Sequence, residues 1–494
     1  MLSSADRYFS VLLNLVTLLV TARLLTPAEF GIAVIGLSVL GIADIIRDFG
    51  GVAYLVQVDT VTPQRVQTVF TVTFLLTLPF IGLVLFLAKP IADFYGSPGL
   101  QLFLQIASLC FLLGPFIAPA NALLRREFAF GKLAVMNGAS VVLNATVTIV
   151  LAMLGFSYMC FVWGGLASGL LYFVACLIWG PKIKIYRFAL DEWRHVTAFG
   201  VYDSAKNMLH YAYETAPYLA FGKTLGPDGL GLFQRALSIS RLPEKTLLAG
   251  LAPVILPALS QLAREGRDLK AGFLSSIEHV TALLWPTLLV IAILAKPLVV
   301  LLLGKQWLEA VPIVQIIAIA SLFWLPSSIA NAVQVAAGGV RDTFILALVA
   351  IPIAVAIQIF ASTFGLTAAA LSLFIAIPFF LIATFIAVRW RVPFTWRELG
   401  SAVKRSAVLA LVSAVGPAIV AISSGGTHEI SIAGGILGFV LAAIGWFTGL
   451  RIARHPMFDE VARAVDFAFA FLTSALGSKA AVGDERRRWL PWVR

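Results

Sequence analysis

RLLTPAEFGIAVIGLSVLGIADIIRDFGGVAYLVQ, residues 23–57, decides how the chain is read. Thr26-Pro27 marks a turn, and the apolar run that follows is long enough to cross a bilayer. Asp44, Arg47 and Asp48 stand inside that run. Charge at membrane depth is expensive, so such residues face a protein interior or a watery cavity. The stretch therefore reads as one wall of a transport pathway.

Composition agrees. The chain has 494 residues, 60% of them hydrophobic and 12% charged, and a mean hydropathy of +0.95. A soluble domain carries roughly 25% charged residues, so most of this chain belongs in lipid. The net charge of +11 does not point to nucleic acid, because the basic residues lie in short loops and form no continuous face. Cys110, Cys160 and Cys176 sit in apolar runs without metal-ligand spacing and read as small buried hydrophobes. Arg7 and the apolar run after it lack a clear cleavage site, so this segment reads as a retained first span.

Runs of about 20 apolar residues place spans at 7–24, 30–56, 67–88, 100–122, 133–154, 157–180, 196–222, 229–259, 279–303, 311–335, 343–364, 366–388, 404–423 and 430–450, fourteen in all. With the N-terminus inside, the inner segments up to residue 450 carry 18 Lys and Arg against 5 on the outer loops. That asymmetry predicts both termini on the cytoplasmic side. Arg451 begins a tail with eight more basic residues, whose stretch 456–476 reads as a surface-lying amphipathic helix or a simple tail. No loop is long enough for a soluble domain. There is no P-loop, no HExxH and no paired acidic metal box, and Gly338-Gly339 and Gly425-Gly426 read as turns. The expectation is a protein that is not an enzyme, with no cofactor.

The chain also repeats itself. Residues 23–38 align with 223–238, matching Leu25/Leu225, Pro27/Pro227, Gly31/Gly231, Leu37/Leu237, Ser38/Ser238 and the flanking bases Arg23/Lys223. Leu87-Ala88-Lys89-Pro90 matches Leu294-Ala295-Lys296-Pro297, and Ala120-Asn121-Ala122 matches Ala330-Asn331-Ala332. The copies are six spans apart and share an orientation. Such a parallel repeat builds two lobes around an axis along the membrane normal, with substrate between them.

Charges away from span ends concentrate in three spans: Asp44, Arg47 and Asp48; Asp203, Lys206 and Glu214; Arg235, Arg241, Glu244 and Lys245. Asp203, Lys206, Asn207, His210 and Glu214 share one helical stripe. Pro243 predicts a kink. Asn14 is placed with these groups, and Tyr202, Tyr211, Tyr213 and Tyr218 offer faces for sugar rings or interfacial anchors. The cations suit phosphate. Asp44, Asp48, Asp203, His210, Glu214 and Glu244 suit coupling to H+ or Na+. Because the five cations and five acids cancel, the same set also reads as ion pairs holding the lobes together.

Arg23-Leu24-Leu25-Thr26-Pro27 with Phe30-Gly31, and Asp48-Phe49-Gly50, resemble the first-hairpin signature of bacterial polysaccharide flippases of the multidrug/oligosaccharidyl-lipid/polysaccharide exporter superfamily. Leu123-Leu124-Arg125-Arg126-Glu127-Phe128 resembles the branch with colanic- and teichuronic-acid exporters, and rhizobial succinoglycan-type exporters are similar in character. The resemblance implies an all-α polytopic protein with an N-lobe over 1–181, a C-lobe over 182–390, two further spans in 391–451 and a cytoplasmic tail over 452–494. It implies flipping of a polyprenyl-diphosphate-linked oligosaccharide across the bacterial inner membrane, beside a polysaccharide polymerase and co-polymerase. It makes Arg47, Lys206, Arg235, Arg241 and Lys245, with Asn14 and Tyr211, the candidates for contacting substrate. The acids depart from a plainly cationic cavity. A proton- or sodium-coupled drug exporter of the same superfamily is the rival reading, and a membrane glycan polymerase, which would expose a large outer loop, is a third.

Overall fold

The computed structural model describes residues 2–48, 51–180, 185–265, 268–458 and 463. Its first half holds α1 (Leu2–Leu24), α2 (Pro27–Asp48), α3 (Gly51–Gln57), α4 (Pro63–Tyr95), α5 (Pro98–Ser108), α6 (Gly114–Arg126), α7 (Phe130–Met153) and α8 (Met159–Trp179). The second half holds α9 (Trp193–Thr224), α10 (Gly226–Ser240), α11 (Leu242–Arg264), α12 (Leu269–Ile293), α13 (Ala295–Leu302), α14 (Val311–Ala320), α15 (Leu325–Ala336), α16 (Val340–Ser362), α17 (Leu366–Leu371) and α18 (Leu373–Arg391). Two long helices close the chain, α19 (Trp396–Ser423) and α20 (Ile432–Ile452). No strand occurs among the described residues.

Each expected span falls on helix. By length and apolarity, ten helices among the described residues suffice to cross a membrane, and Tyr8–Leu24 and Pro27–Ile42 are shorter apolar helices. The remaining expected spans, α9 and the α10–α11 pair, are the ones loaded with charge. Residues 456–476 lie largely outside the described residues.

Local chemistry sets the helix ends. Thr62 accepts the Arg65 N–H and Pro63 opens α4, whose end is turned by Gly96 at φ 63°, a left-handed position that costs glycine little. Thr395 and Glu398 form a reciprocal capping box at α19. The Arg126 guanidinium donates to the carbonyls of Leu55, Val58 and Asp59. It thereby ties the end of α6 to orphan carbonyls at the end of α3.

In the opening stretch α2 is described up to Asp48 and α3 from Gly51, and the two residues between them lie outside the described residues. In the second copy the helix breaks at Arg241, just before Pro243, whose missing N–H cannot continue the ladder. Glu244, which aligns in sequence with Asp44, lies just beyond that break.

Packing duplicates itself along the chain. α1 packs on α7, and α9 on α16; α7 packs on α8, and α16 on α18; α3 packs on α6, and α11 on α15. α19 and α20 pair with each other and lie against α12 and α13. The two halves meet where α2 crosses α10 and α9. With lipid outside, close packing rather than water exclusion holds such helices together, and small residues let them approach. A Cβ at Gly31 would collide with the Pro227 carbonyl oxygen, and one at Gly231 with the Pro27 carbonyl oxygen. The flanking bases follow the same symmetry. Arg23 donates to the Leu301 carbonyl at 2.6 Å, and Lys223 to the Phe94 carbonyl at 2.6 Å. Leu301 and Phe94 stand at matching places of the repeat. Trp307, fully buried, adds an indole N–H to the Ala22 carbonyl at 2.7 Å.

Candidate functional site

The sequence-predicted residues divide into three groups. The first gathers at the α10–α11 break. There the Arg241 guanidinium lies 5.8 Å from the Trp324 ring. The indole N–H of Trp324 points at Glu244 Oε1, 3.3 Å away. Arg241 and Glu214 line a small cavity of 70 Å³ together with Tyr218, Ser321, Trp324 and Gln358. Tyr218 lies in the fields of both Arg241 and Glu214. A cation, two carboxylates and an indole face thus converge on one place, able to hold an anion or a sugar edge at the arginine and a cation at the acids.

The second group lies elsewhere. Arg235 is 2% exposed, its guanidinium 3.6 Å from the Phe30 ring centre and 5.6 Å from that of Trp307. Its Nη2 reaches Thr21 Oγ1 at 3.4 Å, while its Nε has no partner. The expectation that Arg235 lines the cavity is corrected: the α2–α10 seam encloses it. Tyr211 is also turned away from open space, its hydroxyl donating to the Ser38 carbonyl at 3.2 Å. Gly41 makes room for that hydroxyl, since a Cβ there would overlap it. Tyr211 braces α9 on α2, in the fields of Asp44 and Glu214. Asn14, Asp44 and Lys245 are exposed, and none lines the Arg241 cavity.

For the third group, Arg47, Asp48, Asp203, Lys206 and His210, the side chains lie outside the described residues, as do those of Tyr202 and Tyr213. The vestibule expected among the first, second, seventh and eighth spans therefore falls largely outside the described residues, and the cavity described at Arg241 is walled by α9, α10, α14, α16 and α18. Trp324 is the participant that sequence reasoning missed. It sits inside the expected span 311–335, without charge, and only the fold brings it to Arg241. No cluster of three or more metal-ligating side chains occurs among the described residues.

On the other side of Pro243 lies a groove of 680 Å³. Leu242 and Leu247 of α11, Val290 of α12, Leu298 of α13, and Ile436 and Phe439 of α20 line it. Pro243 also borders the pocket formed by Arg241, Glu244 and Trp324. The first turn of α11 therefore separates a polar compartment from an apolar one.

A duplicated helical bundle with polar groups at a broken helix and two appended helices defines a polytopic membrane protein. The chain belongs to the polysaccharide biosynthesis protein family, whose profile matches residues 20–312. It is 24% identical over 315 residues to the lipopolysaccharide biosynthesis protein WzxC of Escherichia coli, covering 63% of each chain. It is 26% identical over 327 residues to the succinoglycan biosynthesis transport protein ExoT of Rhizobium meliloti, covering 64% of each. Both matches thus span less than two thirds of the relative's length. Among solved structures, the lipid II flippase MurJ in its inward closed conformation superposes with a TM-score of 0.73 at 14% identity, over 91% of this chain and 98% of that one. An inward-facing multidrug resistance MATE family transporter of the MOP superfamily superposes with a TM-score of 0.62 at 15% identity, over 80% of this chain and 96% of that one.

Proposed function

We propose that this protein flips a polyprenyl-diphosphate-linked oligosaccharide across the bacterial inner membrane during exopolysaccharide or lipopolysaccharide assembly, by alternating access between an N-lobe over 1–181 and a C-lobe over 182–390. The observation that carries the reading is the adjacency at Pro243 of the Arg241–Trp324 cavity and the 680 Å³ apolar groove. A ligand with an anionic, sugar-bearing head and a long hydrocarbon tail matches that pair. Arg241 serves the diphosphate as a planar, permanently charged donor, and Trp324 offers a face to a sugar. The groove takes the first isoprene units, so the tail stays in apolar surroundings while the head crosses. The relatives' names in lipopolysaccharide and succinoglycan biosynthesis support this reading. Glu214 and Glu244 are the proposed groups for coupling to H+ or Na+. Both termini are cytoplasmic, the 452–494 tail included, and a polymerase and co-polymerase take up the product. The chain acts as a transporter, not an enzyme.

The test is export in a strain lacking the gene. R241Q, W324A and A443W (which fills the groove wall) should each reach the membrane and fail to restore polysaccharide export, with lipid-linked oligosaccharide building up in the inner leaflet. Full export by R241Q and A443W would overturn the proposal. The drug-exporter reading would gain from drug sensitivity of the deletion strain with polysaccharide intact.

A further inference from the structure

A second compartment lies where α18 ends and α19 begins. A cleft of 520 Å³ is lined by Lys270, Ile386, Arg389, Trp390, Phe394 and Glu398, among others. We infer that this cleft is a binding site for an anionic phospholipid, with the lipid phosphate at Arg389 and Lys270 and an acyl chain along α18. The inference is independent of what the protein transports.

Charge bookkeeping within the cleft leaves Arg389 over. Glu398 is saturated: Oε2 accepts from the Thr395 N–H at 2.7 Å and the Thr395 hydroxyl at 3.0 Å, and Oε1 accepts from Lys270 Nζ at 3.0 Å. The neighbouring arginines are matched, Arg391 with Asp342 at 2.8 Å and Arg405 with Glu278 at 3.3 Å. Arg389 alone of these three has no carboxylate partner among the described residues. It lies over the rings of Trp396 at 5.5 Å and Phe394 at 5.9 Å. The two ring faces hold the guanidinium without neutralising it, so its N–H donors remain suited to a phosphate. The Lys270 ammonium has three donors and spends one on Glu398.

The apolar half of the argument comes from α18. Ile375, Ile382, Ile386 and Trp390 are exposed at spacings of seven, four and four, one stripe that leads to Arg389. Trp390, 67% exposed, and Trp396, 46% exposed, sit where α18 and α19 leave the apolar layer. Tryptophan is enriched at that level, and basic pockets between membrane helices bind lipid headgroups there.

The purified full-length protein, in nanodiscs of phosphatidylcholine alone or doped with phosphatidylglycerol, provides the test. Phosphatidylglycerol should raise the unfolding midpoint of the wild type, R389Q should lose that shift, and R389K should keep part of it. R397Q, an exposed arginine outside the cleft lining, should keep all of it. Inorganic phosphate should not reproduce it. A full shift in R389Q, an equal loss in R397Q, or the same shift from inorganic phosphate would overturn the site. If R389Q is misfolded in phosphatidylcholine, the phosphatidylglycerol retained by R389K and wild type in native mass spectrometry decides: equal retention overturns the inference, reduced retention supports it.

Discussion

The guanidinium of Arg235 lies 3.6 Å from the centre of the Phe30 ring, across the seam between the two halves. Because its Nε lacks a hydrogen bond, the aromatic faces of Phe30 and Trp307 are its main compensation for lost solvation. A cation–π contact of this desolvated kind is worth about 2 kcal/mol. F30L is therefore expected to destabilise by about that much, since it leaves the cation in place without its ring. R235M removes the cation with its desolvation cost and should be less harmful. The F30L/R235M double variant should be more stable than F30L. Unfolding midpoints in one detergent check this; equal losses for F30L and R235M would refute it.

Gly31 and Gly231 test the seam from its backbone side. Alanine at either must push α2 and α10 apart, because the obstacle is a proline carbonyl rather than a pliable side chain. G31A and G231A should each widen the distance between spin labels at positions 23 and 301, the residues joined by Arg23 Nη2 and the Leu301 carbonyl. G82A, where nothing lies near a new Cβ, should leave it unchanged. An unaltered distance in both seam variants would show that the halves do not close on these glycines.

The α18–α19 connection should carry an acid-sensitive contribution. The Thr395 backbone N–H, with Lys270 and the Thr395 hydroxyl, pulls the Glu398 carboxyl down to about 2 from its ordinary 4.5. A depressed carboxyl pKa means that the unfolded chain binds the proton first as pH falls. The stabilisation is thus complete above pH 4.5 and is lost as pH drops towards 2. E398Q should flatten the dependence of the unfolding midpoint in that window while lowering the midpoint at neutral pH. An identical profile for wild type and E398Q would rule out this contribution.

Much of the architecture was legible in the sequence because lipid imposes a simple rule on it. Runs of apolar residues located every helical stretch, and the pairs Pro27/Pro227 and Gly31/Gly231 announced the duplication before the packing displayed it. Pro243 marked the break at Arg241 through its missing N–H. The site was legible only in part. Arg241 and Arg235 look alike from sequence, each a cation in an apolar stretch. Their fates differ because Trp324 and Glu244 meet one, while Phe30 and Trp307 enclose the other. Those neighbours come from helices distant in sequence, packed together within the second half and, for Phe30, across the seam, which no local pattern encodes.

The matched contacts of the seam have a consequence for the first half taken alone. Arg23 reaches Leu301 as Lys223 reaches Phe94, and Gly31 meets Pro227 as Gly231 meets Pro27. This is the reciprocity of an isologous dimer, in which one patch recognises its own copy. A polypeptide ending after α8 would carry a self-complementary face, and two of them could pair about the axis that one chain now encloses. An even number of crossings per half, as the sequence predicts, would keep both copies of that face on the same side of the bilayer. Gaining or losing a single span within one half would turn one copy over and leave the other without its counterpart.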